Sequence, residues 1–286
     1  MFMPRKVLEE KLLRLLADDI GQGDVTSGAV VPSDCTVEAE VVAKADGVVA
    51  GVEEAAVLAE ALGLQVSTET DDGEKIEKGK VLLTVSGDAR TVLSAERTML
   101  NLMSRMSGIA TATHSLTERL HKAKLKTRVA ATRKSAPGLL YFDKKAIVVG
   151  GGDPHRLHLD DMVLIKDNHI VVTGSLEDAV KAARKNVSFT KKIEAEVTKP
   201  ADAVKAAELG VDIVLLDNFS PEQIGEAVAL LKKADLEKKV LLEASGGITG
   251  ENLLAYAEAG VDLVSLGELT HSVKALDMSL EIVNVA

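Results

Sequence analysis

The 286-residue sequence contains no tryptophan, and only 2% of its residues are aromatic. Proteins that bind single-stranded nucleic acid usually stack the bases on aromatic side chains, which are scarce here. The formal net charge of −10 points the same way, because proteins that neutralise many phosphates present a basic surface. We therefore expect no nucleic-acid partner and a core built from Ala, Val, Leu and Ile.

Cysteine is almost absent as well. Cys35 is the only one, which excludes an intramolecular disulfide and a cysteine-based zinc cluster. No apolar run approaches the roughly 18 residues that a membrane span needs. The first segment, MFMPRKVLEEKLLRLL, is interrupted by charges, unlike the apolar core of a signal peptide. We expect a cytoplasmic protein without a membrane partner.

The first 108 residues predict an α+β sandwich domain. Leucines recur at helical spacing near the start, and stretches rich in Val and Thr punctuated by glycine follow. A long amphipathic helical region ends this part of the chain, and Gly108 is a candidate break that would divide it into two helices. The expected elements are helices over 5–17, 52–62 and 89–124, and strands within 35–50, 65–68 and 73–87.

From residue 127 onward, short apolar strands alternate with helices of about 10–15 residues, a pattern typical of βαβ units and a parallel sheet. The expected strands are 127–131, 162–166, 192–197, 211–216, 239–243 and 261–266, and the expected helices are 136–149, 175–186, 199–209, 221–234 and 249–259. Six strands favour an incomplete α/β barrel over residues 109–271. Residues 272–286 can return to either domain, and we place them on the first.

Every one of these six strands runs into polar or glycine-rich residues. In parallel α/β folds the carboxyl ends of the strands face the ligand, so six such endings together predict a binding site, although any single one is usually a solvated loop or a helix cap. The residues in question are Thr132, Arg133 and Lys134; Lys166, Asp167, Asn168 and His169; Glu194 and Glu196; Asp217 and Asn218; Glu243 and Ser245; and Gly267 and Glu268.

Two of these turns are suited to phosphate. Ser245, Gly246 and Gly247 follow one strand and lead into a helix expected at about Thr249, and Gly267 follows the next strand with His271 close behind. Glycine allows backbone N–H groups to approach a phosphate, and the last strands of a barrel are a common phosphate site. The alternative is that these glycines serve only tight turns.

Several basic residues are grouped in the sequence although the protein has a net negative charge. Arg133 and Lys134 follow one strand, His155 and Arg156 follow a triple-glycine turn, and Arg97 lies on the long helix. Arginine pairs bidentately with carboxylates, so the group suggests a substrate that carries carboxylates as well as phosphates. Glu196 and Asp217 supply the opposite charge, which suits Mg²⁺, ribose hydroxyls or a cation developing at a sugar carbon.

A series of motifs in one order makes the sequence resemble the quinolinate phosphoribosyltransferases, also called nicotinate-nucleotide pyrophosphorylases (carboxylating). The resemblance extends from residue 18 to Ser272 and so covers nearly the whole chain. The motifs are DDIGQGDVTS, AERTMLNLMSRMSGIATAT, TRKSAPG, GGGDPHR, VLIKDNHI, IEAEV, VLLDNF, EASGGI and SLGELTHS.

The resemblance implies a Mg²⁺-dependent transfer of phosphoribosyl from phosphoribosyl pyrophosphate to quinolinate, with loss of CO₂, in NAD biosynthesis. It implies that Arg133, Lys134, His155 and Arg156 bind the quinolinate carboxylates, and that Arg97 reaches the site of a neighbouring subunit in a homodimer. Assembly beyond the dimer is left open. Lys166 would lie between the two substrates, Glu196 and Asp217 near ribose and metal, and Ser245, Gly246, Gly267 and His271 at the phosphates. Lys134, Lys166, Glu196 and Asp217 are the catalytic candidates.

Three positions depart from the family pattern: Ala131 replaces a common Asp, Leu140 a frequent Arg, and His158 a usual Gly. The missing arginine makes nicotinate phosphoribosyltransferase, with a substrate of one carboxylate, the first alternative. A barrel lyase that uses Lys166 as a Schiff-base nucleophile and a non-catalytic anion-binding protein are alternatives of other classes.

Overall fold

The computed structural model describes residues 3–286 and divides them into two compact units. The first unit contains the chain up to His114 together with 141–151 and 273–286, and the second contains 115–140 and 152–272. In chain order the elements are α1 (Arg5–Ile20), α2 (Val25–Val30), β1 (Thr36–Ala43), β2 (Gly47–Val48), α3 (Val52–Ala61), β3 (Gln65–Thr68), β4 (Lys75–Ile76), β5 (Val81–Asp88), α4 (Ala89–Lys122), β6 (Arg128–Ala131), α5 (Leu140–Val149), β7 (Val163–Ile165), α6 (Asp167–Thr173), α7 (Leu176–Asn186), β8 (Ile193–Val197), α8 (Pro200–Glu208), β9 (Ile213–Asp217), α9 (Pro221–Lys233), β10 (Leu241–Ser245), α10 (Leu253–Glu258), β11 (Leu263–Leu266), α11 (Glu268–His271) and β12 (Met278–Val285).

The first unit is built on a four-stranded antiparallel sheet in the order β12-β1-β5-β3. Helix α1 buries Leu8, Leu12 and Leu16, which the four-residue spacing places on one face. The last strand, β12, pairs with β1 from Ala43 to Val37, so that the C-terminal segment completes the edge of this sheet. The first unit extends to His114 and includes α5, whereas the expected boundary lies at 108/109, and residues 273–286 also belong to the first unit.

The second unit contains six parallel strands in the order β6-β11-β10-β9-β8-β7. The strands are near-continuous apolar runs, such as Ile213–Leu216, because helices cover them and both faces are buried. Helix starts are capped locally: Ser220 and Gln223 form a capping box at α9, and the Ser175 hydroxyl accepts from Asp178 N–H at α7. Among the described residues no ladder joins β7 to β6, so the barrel is incomplete, as the strand count predicts.

The structure corrects the expectation that Gly108 divides the long helix. Helix α4 is continuous from Ala89 to Lys122. The glycine instead permits a close contact: a Cβ there would overlap the carbonyl oxygen of Lys274 and lie 3.0 Å from Ala275 Cα. Four elements were not predicted, namely α2, α6, α11 and β12. No helix within residues 3–286 combines the length and the apolar character needed to cross a membrane.

Replacing Gly108 by alanine is expected to lower the free energy of unfolding by about 1–3 kcal/mol, because the added methyl group overpacks the contact with Lys274. Gly225→Ala is the matched control. Gly225 also lies inside a helix but has nothing within 4 Å of its missing Cβ, so alanine should stabilise by up to about 1 kcal/mol. Urea denaturation of both variants measures the difference. If Gly108→Ala were more stable than wild type, the backbone at Lys274 would be able to move away from the added methyl group at little cost.

Candidate active site

The carboxyl ends of the six parallel strands bring most of the predicted site residues to one rim of the second unit. Parallel pairing aligns the strand ends, and the register places Ser245 opposite Asp217 on one side and Ser265 on the other. In sheet order, the rim carries Arg133 and Lys134, then Gly267 and His271, then Ser245 and Gly246, then Asp217, Glu196 and Lys166. The acids therefore lie between the glycine turns and Lys166.

A basic cleft of about 510 Å³ lies at this end of the second unit. Arg133, Arg156, Lys166, His169 and Lys191 are among the residues that line it. Burial, together with the neighbouring charge of Arg133, lowers the pKa of Arg156. Arg133 and Arg156 both line the cleft, and a carboxylate placed between two guanidinium groups would be attracted to both. The cleft is thus built for a small anion.

Lys166 and Glu196 form an ion pair between neighbouring strand ends. The Lys166 Nζ donates to Glu196 Oε2 at 2.9 Å, and the glutamate side chain is only 10% exposed whereas the lysine is 46% exposed. The Lys166 N–H donates to His169 Nδ1 at 2.9 Å, which leaves Nε2 as the protonated nitrogen of a neutral His169 ring. A charged ammonium group therefore stands next to a carboxylate at the mouth of the cleft.

The turn after β10 comes very close to the turn after β9. A Cβ on Gly246, which has a φ of +93°, would overlap Asn218 Oδ1 and lie 3.1 Å from the Asn218 nitrogen. Asn218 N–H donates to the Ser245 carbonyl at 2.8 Å, and its side-chain amide donates to Asp217 Oδ2 at 2.7 Å. Only glycine fits at position 246. Because Asn218 bonds both to Ser245 and to Asp217, the position of the Asp217 carboxylate is fixed relative to the glycine turn.

The helix expected to open at about Thr249 begins instead at Leu253. Residues 249–252 form a turn, in which Thr249 N–H donates to Asn252 Oδ1 at 2.8 Å and Asn252 Nδ2 donates to the Gly247 carbonyl at 3.0 Å. Leu253 N–H in turn donates to the Thr249 carbonyl at 3.1 Å, so this turn leads directly into α10. An anion at this turn would depend on backbone N–H groups and the Ser245 hydroxyl.

Gly267 brings together two predicted site residues from different segments. The position of its missing Cβ lies 3.2 Å from Lys134 Cδ and 3.2 Å from His271 Nε2. Thr270 donates through its hydroxyl to the Lys134 carbonyl at 2.7 Å, which ties the turn after β6 to the turn after β11. Lys134 and His271 are consequently neighbours above this glycine.

Two family models match the chain. The quinolinate phosphoribosyl transferase N-terminal domain matches residues 24–107, and the C-terminal domain of the same name matches residues 109–281. The chain belongs to the quinolinate phosphoribosyltransferase family. The resemblance read from the sequence motifs is confirmed.

Similar proteins agree with this family over almost their full length. The probable nicotinate-nucleotide pyrophosphorylase (carboxylating) of Methanothermobacter thermautotrophicus is 48% identical over 268 residues, which cover 94% of this chain and 96% of that protein. The crystal structure of NadC from Streptococcus pyogenes has 32% identity and a TM-score of 0.90, covering 100% of this chain and 99% of that one. The nicotinate-nucleotide pyrophosphorylase from Francisella tularensis has 34% identity and a TM-score of 0.88, with 98% of both chains covered. The predicted fold class is confirmed.

Sequence reasoning left two buried acids of the second unit without a role. His155 Nε2 contacts Glu243 Oε2 at 2.9 Å and lies 3.5 Å from Glu194 Oε2. Burial and the nearby Glu243 raise the pKa of Glu194 to about 8. Both glutamates were noted at strand ends, but the sequence could not show that strands β8 and β10 place them beside one histidine. The spacing of Glu194 and Glu196, two residues apart on one strand, was the available signal, since it puts both side chains on one face.

Arg97 is the predicted site residue that the strand ends do not bring together with the others. It lies on α4 in the first unit, with a side chain 61% exposed and its Nη2 3.5 Å from Glu96 Oε1.

The structure also places the three positions that depart from the family pattern. Ala131 is buried at the end of β6, Leu140 begins α5, and His158 N–H donates to Asp161 Oδ2 at 2.9 Å.

Proposed function

We propose that this protein is a decarboxylating quinolinate phosphoribosyltransferase that forms nicotinate mononucleotide, pyrophosphate and CO₂ in NAD biosynthesis. The basic cleft lined by Arg133, Arg156 and Lys166 carries the proposal, because its paired guanidinium groups and its lysine suit a small dicarboxylate. The names of the full-length relatives support the same reaction.

The carboxylates of quinolinate bind to Arg133, Lys134, His155 and Arg156, and the phosphates of the second substrate bind to Ser245, Gly246, Gly267 and His271. The ring nitrogen attacks the sugar C1 as the bond to pyrophosphate breaks. Glu196 and Asp217 stabilise the positive charge that develops on the sugar, and Lys166 stands between the two substrates. The bond to the 2-carboxylate then breaks, its electron pair stays on the ring carbon next to the cationic nitrogen, and that carbon takes up a proton.

We propose Mg²⁺ as the cofactor. Glu196 and Asp217 offer carboxylate oxygens at neighbouring strand ends, and Mg²⁺ prefers oxygen ligands, keeps several waters and often binds through substrate phosphates. The residues present therefore fit this ion, and these two acids would hold it directly or through water. When bound, it supplies charge neutralisation for the departing pyrophosphate.

The decisive assay supplies the protein with phosphoribosyl pyrophosphate, Mg²⁺ and either quinolinate or nicotinate. We expect CO₂ and nicotinate mononucleotide from quinolinate. Turnover of nicotinate alone would identify the nicotinate phosphoribosyltransferase alternative instead.

The contacts of Lys166 do not support a Schiff-base role for this residue. Lysines with that role are activated by an apolar pocket or a cationic neighbour, whereas the Lys166 Nζ pairs with Glu196 Oε2 at 2.9 Å. Borohydride trapping with a carbonyl substrate should therefore label nothing.

We further propose a cytoplasmic homodimer in which Arg97 completes the site of the partner subunit. If so, inactive Arg97→Ala and inactive Arg133→Ala should regain activity when mixed, because a mixed dimer contains one site with both arginines intact. About a quarter of wild-type activity is the most that random exchange can restore, since half of the dimers are mixed and each has one good site. Exchange is monitored with differently tagged subunits. Exchange without recovery would place Arg97 outside the shared site.

A further inference from the structure

A buried contact between one histidine and two glutamates lies below the rim of the barrel. His155 Nε2 is 2.9 Å from Glu243 Oε2 and 3.5 Å from Glu194 Oε2. The side chains of Glu243 and Glu194 are 2% and 0% exposed, and His155 is 11% exposed. Neither carboxylate oxygen of Glu194 has a hydrogen-bond partner within residues 3–286. Two buried acids thus converge on one imidazole nitrogen.

Burying two acidic side chains in the barrel is costly. Charged groups in a protein interior lose their hydration, and well-packed apolar side chains of similar volume are often as stabilising or more so. Their neighbours across the sheet are apolar, since Glu194 is paired with Ile213 and Glu243 with Leu215. The fold alone therefore does not account for acids at these two positions.

Hydrogen bonds of Asp153 hold the backbone next to His155 in place. Asp153 forms a parallel bridge to β6, with its N–H donating to Val129 O at 2.8 Å and its carbonyl accepting from Ala131 N–H at 3.0 Å. The Asp153 side chain accepts from His155 N–H at 2.8 Å. His155 itself has a φ of +53°, a left-handed conformation that non-glycine residues adopt only where surrounding contacts impose it.

This conformation separates two consecutive basic residues. His155 directs its Nε2 toward the glutamates, and the next residue, Arg156, lines the cleft together with Arg133. The charged groups that face the trio are Arg156 and Lys166, and Asp161 lies near Arg156. Holding the His155 ring therefore also fixes the starting point of the Arg156 side chain.

We propose that Glu243 and Glu194 are positioning residues for substrate binding, which hold the His155 ring and thereby fix His155 and Arg156 toward the carboxylates of the acceptor substrate. This inference rests on the proposed function, because it assigns the anion in the cleft to quinolinate. The two acids act through His155 and do not touch the substrate. Their contribution is accordingly confined to one of the two substrates.

The test compares Glu243→Met, which removes the acceptor at similar length, with Glu243→Gln, which keeps a carbonyl acceptor for the His155 N–H. Steady-state kinetics are measured with each substrate varied in turn. Glu243→Met should raise the KM for quinolinate by about 10- to 100-fold, the size typical of losing a group that orients a ligand-binding histidine, and change the KM for phosphoribosyl pyrophosphate by less than about threefold. Glu243→Gln should restore the quinolinate KM to within about threefold of wild type.

A double-mutant cycle shows whether Glu243 acts through His155. The quinolinate KM of His155→Ala/Glu243→Met should equal that of His155→Ala, because a positioning residue has no further effect once the residue it positions is gone. If the double variant raised the quinolinate KM by the product of the two single effects, Glu243 would act independently of His155 and the proposal would be overturned. Equal increases in the KM values of both substrates in Glu243→Met would overturn it as well. If Glu243→Met does not fold, Glu243→Leu takes its place in the same cycle.

Three further outcomes are distinguishable. His155, Glu194 and Glu243 place three ligand atoms within 4.8 Å of one another, so a transition metal present at one per chain after dialysis, measured by mass spectrometry, would make the trio a metal site and overturn the positioning role. A wild-type protein that does not turn over quinolinate would remove the proposed function and this inference with it. Wild-type turnover with an unchanged Glu243→Met would remove the inference alone.

Discussion

Replacing Lys166 by methionine is expected to lower kcat/KM by about 10²- to 10³-fold, the loss seen when one preorganised charge-stabilising group is removed from an active site. The ammonium group lies 2.9 Å from Glu196 Oε2 and lines the basic cleft, and the proposed function places it between the acceptor and the sugar. Its removal leaves the Glu196 carboxylate, only 10% exposed, without its ionic partner. We therefore expect weaker binding of the anionic substrates and a less well-positioned Glu196 carboxylate.

The measurement is initial-rate kinetics with both substrates, accompanied by circular dichroism to confirm folding. Lys181→Met serves as the matched control, because Lys181 is also a lysine of the second unit but its side chain is 68% exposed and pairs with Glu177 on α7. That variant should keep wild-type rates. A Lys166→Met protein with rates close to wild type would mean that the cleft is not the reaction site, whatever the family of the chain.

Much of the second unit could be predicted from sequence because its signals are local. Each predicted strand lies within two residues of an observed one at either end, since buried parallel strands are apolar runs bounded by glycines and charges. The rim residues followed from the same reasoning, because the carboxyl end of a parallel strand always faces the ligand side. The helix α6 was missed because its sequence, DNHIVVT, contains two adjacent valines and buries none of its residues.

What the sequence could not reveal is contact between distant segments. Strand β12 pairs with β1, joining Val37 to Val285, and no local pattern encodes a partner so far along the chain. Gly108 looked like a helix break because glycine weakens helices, yet its role is set by Lys274. The trio at His155 has the same origin, since Glu194 and Glu243 come from two strands that are not even neighbours in the sheet. Site residues from one turn were predictable, and site residues brought together from separate strands were not.

The second large effect concerns stability of the first unit. Lys145 on α5 is 6% exposed and donates to both carboxylate oxygens of Glu54, at 2.8 and 2.9 Å, with Glu53 at 2.5 Å and Asp72 at 3.2 Å. Burial opposes the charged ammonium, but the charge of Glu54 and the hydrogen bonds to Glu53 and Glu54 outweigh it, so the pKa of Lys145 lies above its ordinary value. This group ties α5 to α3.

Lys145→Met is expected to lower the free energy of unfolding by about 3–5 kcal/mol at pH 7, because it leaves Glu54, which is fully buried, without its counter-charge. Removing both charges, in Lys145→Met/Glu54→Met, should recover most of that loss, since apolar replacements of a buried ion pair are often neutral. Urea denaturation at pH 7 measures all three proteins. Lys6→Met, which breaks an exposed ion pair with Glu9, should leave stability unchanged.

The pH dependence of the single variant separates this explanation from simple loss of packing. Burial raises the pKa of Glu54 above its unfolded value, and without Lys145 nothing close offsets that effect. The folded variant therefore binds a proton that the unfolded chain releases, so its stability falls as pH rises from the unfolded pKa of about 4.3 through the folded pKa. The deficit of Lys145→Met relative to wild type should accordingly be smaller at pH 5 than at pH 7. A deficit of equal size at both values would show that it does not arise from an ionised Glu54 left without its counter-charge.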